Sequence, residues 1–174
     1  LIMMSPEKFK NQYNIEARTN SEVIAINRQE KNILVKNLID NSTYTEYYDT
    51  LILSPGAKPI MPPIPGNELV NIYTVRNVQD IKKLKTAANN NLQQNIAVIG
   101  GGFIGIEVAE NLKEAGFKVS LIEAMPQILR TVDYDLAQIL HKTITDHGVD
   151  LVINDKVVRF NQNQIQLNSG RVID

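Results

Sequence analysis

The 174-residue chain carries 18 basic and 19 acidic side chains, a net charge of −1, and no cysteine. Balanced charge leaves no electrostatic footprint for nucleic acid or an anionic membrane. Without cysteine there is neither a disulfide framework nor a thiolate metal site. The length suits one domain, or one domain with a piece of another, and 43% apolar residues can fill a real core.

The longest apolar stretch, Ile96 to Ile106, holds four glycines and is far too short to span a bilayer. The first twenty residues mix acidic and polar side chains, unlike a signal peptide. A soluble, cytoplasmic protein is expected. The chain begins at Leu1 and stops within an expected strand, so it is expected to be an internal piece of a longer protein.

Ser5, Pro6 and Glu7 form a helix-start pattern: a capping hydroxyl, a proline at the first helical position and an acid at the positive end of the dipole. β-Rich segments follow at Ile15–Arg18, Glu22–Asn27, Asn32–Leu38, Thr43–Tyr48 and Thr50–Ser54. Their β-branched content, with turn residues at Asn27-Arg28 and Asp40-Asn41, predicts an antiparallel meander. The apolar run Thr50–Ser54 predicts a buried strand. Prolines at 59, 62, 63 and 65 then remove amide donors and stiffen the chain, so residues 59–75 are expected to be a linker.

Beyond it, Ile81, Leu84 and Ala88 are spaced for a helix over Val78–Ala88, ended by Asn89–Asn91. Ile96–Ile99 reads as a short buried strand. Gly100-Gly101-Gly102-Phe103-Ile104-Gly105 gives G-x-G-x-x-G: one glycine for the tight turn, one for close approach of backbone to a pyrophosphate, one for helix-on-sheet packing. A helix follows, with Ile104, Val108, Leu112 and Ala115 on its apolar face and Gly116 at its end. The strand Phe117–Glu123 then ends on an acid, where a carboxylate can accept hydrogen bonds from an adenosine ribose and repel a 2′-phosphate. Strand, glycines, helix, strand and acid all fall within Ile96–Glu123, the context that turns a loose glycine motif into a dinucleotide site. NAD(H) is expected over NADP(H).

A second helix is expected from Tyr134 to His147, with Asp133 as cap and Gly148 beyond its end. Short strands are expected in Val149–Ile153, Lys156–Phe160, Gln164–Leu167 and Arg171–Asp174. His141 and His147 share no helical face and are expected in packing or at the surface, not as a metal pair. Lys82–Lys85 reads as a solvated helix face. Neither G-x-S-x-G nor G-K-[ST] occurs, so hydrolase and nucleoside-triphosphatase chemistry lack a motif. A Rossmann-type methyltransferase would want a different glycine pattern.

The runs "VIGGGFIGIEVAENL" (Val98–Leu112) and "LILSPGAKPIMPPIPG" (Leu51–Gly66) resemble the pyridine nucleotide–disulfide oxidoreductases, in the branch of NADH oxidases, NADH peroxidases and coenzyme A-disulfide reductases. The resemblance implies an α/β fold: a Rossmann-like βαβ domain with a short β-meander, preceded by part of a second, β-rich FAD-binding domain. Residues 1–58 would be the C-terminal portion of that FAD domain, and 76–174 an NAD(H)-binding domain truncated at its end. Gly100, Gly101, Gly102, Ile104, Gly105 and Glu123 would hold NAD, Phe103 would cover the flavin face, and Glu107 would lie near the nicotinamide. An ordinary first-turn acid is the other reading of Glu107. Val23 and Ser54-Pro55-Gly56 would approach FAD. The family's redox cysteine and FAD glycine motif are expected upstream of Leu1, leaving no catalytic residue in this chain. The resemblance implies a FAD-dependent, NADH-using enzyme, homodimeric at full length, acting on a small-molecule acceptor. The alternative is an isolated NAD(H)-binding module without flavin or turnover.

Overall fold

The computed structural model describes residues 4–89 and 95–174, and the chain divides into two units, Leu1–Ala57 and Lys58–Asp174. Asn90 and Asn91, expected to end a helix, lie outside the described residues.

In the first unit, Ser5 caps helix α1 (Pro6–Tyr13), its hydroxyl accepting from the Lys8 amide at 3.2 Å. Strands β1 (Ser21–Asn27), β2 (Asn32–Asn37) and β3 (Thr43–Tyr47) form the expected antiparallel meander, with Val23 opposite Val35 and Val35 opposite Tyr44. The register slips between Val23 and Ala25, leaving Ile24 as a bulge. Asn27 shapes the first turn by accepting from the Gln29 and Glu30 amides, both at 3.1 Å. Burial is thin: Val35 is 4% exposed, while Val23, Ile24 and Ile26 are 50%, 48% and 42% exposed. Three strands with one uncovered apolar face are marginal by themselves.

Two expected strands do not form. Residues 15–18 are irregular, held instead by Arg18, whose guanidinium donates to Glu16 at 2.8 Å, to Glu46 of β3 at 2.5 Å and to Tyr44 at 3.3 Å. These bonds to Glu16, Glu46 and Tyr44 raise the Arg18 pKa above its ordinary value. Thr50 lies in a bend, residues 51–54 are irregular and join no sheet among the described residues, and Ile52 and Leu53 are 84% and 66% exposed. An apolar run becomes a strand only when another strand takes its backbone hydrogen bonds.

The second unit is built on a parallel sheet, β4 (Asn95–Ile99), β5 (Lys118–Ile122) and β6 (Asp150–Val152), in that order. Ile96 pairs with Val119, and Leu121 with Leu151. Both faces are buried, and the period-two alternation of a strand sorts the side chains between them. Ile96 and Val98, Val119 and Leu121, and Leu151 and Ile153 face one core with Ala109 and Leu112 of helix α3 (Phe103–Glu114) and Leu140 and Ile144 of helix α4 (Tyr134–Asp146). Ala88 of helix α2 (Val78–Asn89) joins that core. Ala97, Ile122 and Val152 face the other, against Val157 and Phe160 of β7 (Val157–Asn161), Leu167 of β8 (Gln164–Leu167) and Ile173 of β9 (Val172–Ile173). The last three strands make an antiparallel sheet in sequence order.

The proline-rich stretch expected to be a linker is, from Ile64 to Ile72, part of this second core. Ile64, Leu69 and Ile72 pack against the buried cluster that includes Phe160 and Leu167, and the Phe160 amide donates to the Pro65 carbonyl at 2.8 Å. Proline loses its donor but keeps its acceptor, so a proline run can still anchor a neighbour's amide. Gly66 has φ +89°, and a Cβ there would stand 2.2 Å from the Phe160 carbonyl oxygen. Gly66→Ala is therefore expected to lower the stability of this unit by about 2 kcal/mol or more. Unchanged denaturant unfolding in the variant would show the stretch to be a free tether.

Helix ends differ in detail from the sequence reading. Asp133 occupies the N-cap position of α4, but its side chain makes no capping bond. Asn77 and Asp80 cap α2 reciprocally: the Asp80 amide donates to Asn77 Oδ1 at 3.0 Å, and the Arg76 and Asn77 amides donate to Asp80 Oδ2 at 3.0 and 3.2 Å. The buried face of α3 is centred on Ala109 and Leu112; Ile104 is 60% exposed and Ala115 is exposed.

His141 is buried, and its Nε2 accepts from the Ile128 amide at 3.2 Å. An acceptor nitrogen cannot also be protonated, and burial lowers the His141 pKa below 6.5. The unfolded chain therefore binds the proton more readily. The stabilisation is whole above the unfolded value of 6.5 and is lost as pH falls towards the folded value. Thermal melts from about pH 7 to about pH 5 should lose stability in the wild-type protein and lose less in His141→Gln. Parallel pH profiles would remove His141 from this role.

Candidate functional site

The glycine loop runs from the end of β4 into α3. Gly100 turns the chain with φ +106°, and its amide donates to the Ile122 carbonyl at 2.8 Å, holding the turn to the end of β5. At Gly105 a Cβ would stand 1.9 Å from the Gly100 carbonyl oxygen, so helix and turn approach as only glycine allows. At Gly101 a Cβ would meet Ile128 Cγ2 at 2.6 Å. At Gly102 a Cβ would meet nothing within 4 Å: this side of the loop is open.

Gly102 is the N-cap residue of α3 and has no side chain with which to cap it. Among the described residues, the amides of Phe103, Ile104 and Gly105 find no protein acceptor. Uncompensated amides at the positive end of a helix, behind an open glycine loop, suit an anionic ligand. Phe103 is 66% exposed beside them.

Glu123, at the end of β5, is held from two sides. Its Oε2 accepts from the Gly101 amide at 2.7 Å and its Oε1 from the Met125 amide at 2.8 Å. Each oxygen keeps acceptor capacity, since a carboxylate offers about four lone-pair sites. The turn after Glu123 closes back on the loop: the Leu129 amide donates to the Gly101 carbonyl at 2.8 Å, and the Asn154 amide to the Met125 carbonyl at 2.8 Å. Gly100–Gly105 and Glu123 thus form one hydrogen-bonded constellation.

Glu107 lies on the exposed side of α3, beyond its first turn, which holds no acid. The reading of Glu107 as a first-turn acid on the helix dipole does not hold. Val23 lies in β1 at the bulge, and Ser54, Pro55 and Gly56 are exposed and irregular, Gly56 having φ +72°. These four belong to the first unit.

The turn residues Ile128 and Leu129, which back the glycine loop, were not singled out by sequence. Ile128 is fully buried and Leu129 has φ +44°. The run "AMPQILRTVD" has neither helical nor strand periodicity, so the pattern showed only a connection.

A parallel βαβ unit with an open glycine loop at a helix N-terminus is the architecture of a Rossmann-type fold. The chain belongs to the pyridine nucleotide-disulphide oxidoreductase family, whose model matches residues 4–174. It is 31% identical over 178 residues to the NADH oxidase of Methanocaldococcus jannaschii, spanning 100% of this chain and 40% of the relative. It is 33% identical over 171 residues to the coenzyme A disulfide reductase of Staphylococcus aureus, spanning 98% of this chain and 38% of that one. The chain therefore covers about two fifths of the length of these relatives.

Among solved structures, reduced Bacillus anthracis CoADR-RHD matches 100% of this chain and 32% of its own, with 42% identity and a TM-score of 0.92. An engineered water-forming NADPH oxidase bound to NADPH, made from the Lactobacillus brevis NADH oxidase, matches 99% of this chain and 38% of its own at 28% identity, TM-score 0.86. Five replacements define that engineered protein: a glycine to alanine, then, eighteen positions on, a consecutive aspartate, alanine and methionine to alanine, arginine and serine, and, five positions past the methionine, a proline to arginine. Among the described residues no helix is long and apolar enough to cross a membrane.

Proposed function

We propose that this chain is the NADH-binding part of a FAD-dependent oxidoreductase that moves hydride from NADH through the flavin to a disulfide, persulfide, peroxide or dioxygen acceptor. The observation that carries this reading is the uncapped N-terminus of α3 behind Gly100–Gly105, with the Glu123 carboxylate fixed beside it. The pyrophosphate lies against the amides of Phe103, Ile104 and Gly105, which Gly102 leaves open to approach. Glu123 turns its remaining lone pairs to the adenosine ribose. Phe103, exposed at the mouth, covers the flavin face, and Glu107 lies towards the nicotinamide. Bound NAD and FAD supply the redox chemistry; the chain orients them.

The engineered NADPH oxidase supports the assignment at Glu123. Its aspartate–alanine–methionine run has the order of Glu123-Ala124-Met125 here, and its glycine, eighteen positions earlier, has the spacing of Gly105. An acid, a small residue and a methionine at the end of β5 are the segment where NADH and NADPH are told apart.

Leu1–Ala57 is, in the same reading, the C-terminal part of the FAD-binding domain, with Val23 near the FAD adenine and Ser54–Gly56 close to FAD. The exposed apolar face of β1 supports this, because a meander of three strands needs cover. The whole protein is a cytoplasmic homodimer. The second reading, a nucleotide-binding module without turnover, is favoured by one fact: with no cysteine, these 174 residues hold no thiol for a disulfide or persulfide step.

Calorimetric titration of the chain with NADH tests the first reading and is expected to show one saturable site, competed by ADP-ribose. Absence of saturable binding would refute it. The colour of the preparation separates the two readings, since retained flavin absorption contradicts a module that binds NADH alone.

A further inference from the structure

We propose that His141 is a positioning residue for the nucleotide: its neutral ring braces the turn behind the glycine loop, and a proton on that ring releases the turn, so the site holds its ligand less tightly in acid. The inference rests on the nucleotide site proposed above.

The path from ring to loop is short. His141 is buried in α4, and its Nε2 accepts from the Ile128 amide at 3.2 Å. Ile128 is fully buried, and its Cγ2 lies where a Cβ on Gly101 would come within 2.6 Å, so this side chain packs against the bare face of the glycine. The next residue, Leu129, donates its amide to the Gly101 carbonyl at 2.8 Å. Gly101 is thus held through its amide by Glu123, at 2.7 Å, and through its carbonyl by the turn that His141 supports. Leu129 has φ +44°, a conformation that a branched side chain keeps only where surrounding bonds impose it. The Ile128–His141 bond is one of these, and it comes from a separate element.

A ring nitrogen that accepts a hydrogen bond carries no proton. Once protonated, Nε2 is a donor facing the Ile128 N–H, and the amide of a buried residue is left without its acceptor. Burial alone holds the His141 pKa below 6.5. The charged groups on the segments around it are exposed or engaged elsewhere. In the turn, Glu123 accepts from Gly101 and Met125, and Arg130 is exposed. On α4, Lys142 pairs with Asp146 at 2.7 Å, and Asp133, Asp135 and His147 are exposed. On β6, Asp150 pairs with Arg171 at 2.6 Å. On α3, Glu107, Glu110 and Glu114 are exposed, and Lys113 reaches towards Gly148. Binding requires the neutral ring, so affinity is whole above the His141 pKa and falls as pH drops through it. By reciprocity, bound ligand lowers that pKa further.

The test titrates ADP-ribose, whose pyrophosphate keeps its charge throughout, into the full chain from about pH 7.5 to about pH 5. Amide NMR of β7–β9 reports that the protein stays folded. Wild-type affinity is expected to fall by about threefold or more over this range. His141→Leu should bind about threefold or more weakly at neutral pH, with a flatter profile. His141→Gln, whose amide oxygen accepts from Ile128 without titrating, should regain most of that affinity and keep it in acid. Ring NMR of the wild type should show His141 taking up its proton at lower pH when ADP-ribose is saturating than when it is absent. Three results would overturn the inference and leave the nucleotide site standing: a ring titration unmoved by ADP-ribose, parallel affinity profiles in wild type and His141→Gln, or affinity lost only as the β7–β9 spectrum collapses. No saturable binding by the wild type at neutral pH would remove both.

Discussion

Glu123→Gln is expected to loosen the glycine loop before any nucleotide arrives and to weaken NADH binding by about tenfold or more. The carboxylate accepts from two amides, Gly101 and Met125. Glutamine has one acceptor oxygen and one NH2, so one of those amides must face a donor. The loss of a charge-assisted bond to a part-buried amide amounts to about 1–3 kcal/mol. Hydrogen exchange in the nucleotide-free protein should therefore quicken at Gly101 or Met125, a readout that does not depend on NADH. Affinity should fall for both nucleotides because the loop serves both, and further for NADH because the ribose contact is lost too. Unchanged exchange at both amides would show the clamp to be dispensable. Loss of NADH affinity with unchanged exchange would leave Glu123 a ribose contact alone.

Gly105→Ala should be as damaging by a different route. Its Cβ would stand 1.9 Å from the Gly100 carbonyl oxygen and 3.7 Å from Val98 Cγ1, and the first neighbour is backbone that cannot rotate away. α3 must move off the turn, at a cost of about 1–3 kcal/mol, or roughly 3–10 °C in melting temperature for a chain of this size. That movement shifts the amides of Phe103 and Ile104 at the pyrophosphate position, so NADH affinity falls with stability; the alanine at this spacing in the engineered oxidase goes with NADPH in place of NADH. At Gly102, where a Cβ meets nothing, Gly102→Ala should leave the melting temperature almost unchanged yet still impair NADH binding. A Gly102→Ala variant that binds NADH normally would argue against pyrophosphate at this face.

The parts of the fold legible in the sequence are those in which local pattern and tertiary contact agree. The βαβ run was readable because strand, glycines, helix and acid carry separate local signals, and β4, α3 and β5 follow in that order with residues 95–99 and 118–122 paired in parallel. The meander was readable for the same reason. Where a signal needs a distant partner the reading failed. Thr50–Ser54 has the composition of a buried strand but no strand alongside it among the described residues. The proline stretch has the composition of a linker but lends the Pro65 carbonyl to β7 and Ile64, Leu69 and Ile72 to the core beneath the β7–β9 sheet.

The site shows the same division. Gly100 and Gly105 announce themselves because each answers a steric demand of the backbone, at Gly105 a close approach and at Gly100 a positive φ. Glu123 was legible as an acid at a strand end, but its two amide partners were not, since Gly101 and Met125 meet it only after the turn has folded. Ile128, Leu129 and His141 carry no motif; their part in backing the loop comes from a left-handed residue and two hydrogen bonds that link Ile128 to His141 and Leu129 to Gly101.

The central claim is that the glycine loop and Glu123 together seat NADH. The most direct test is backbone amide NMR of the chain titrated with NADH. The account predicts saturable shifts largest at Gly101 to Gly105 and at Glu123 to Met125, with the His141 helix and the β7–β9 sheet little changed. Shifts centred on another surface, or none at saturating NADH, would contradict it.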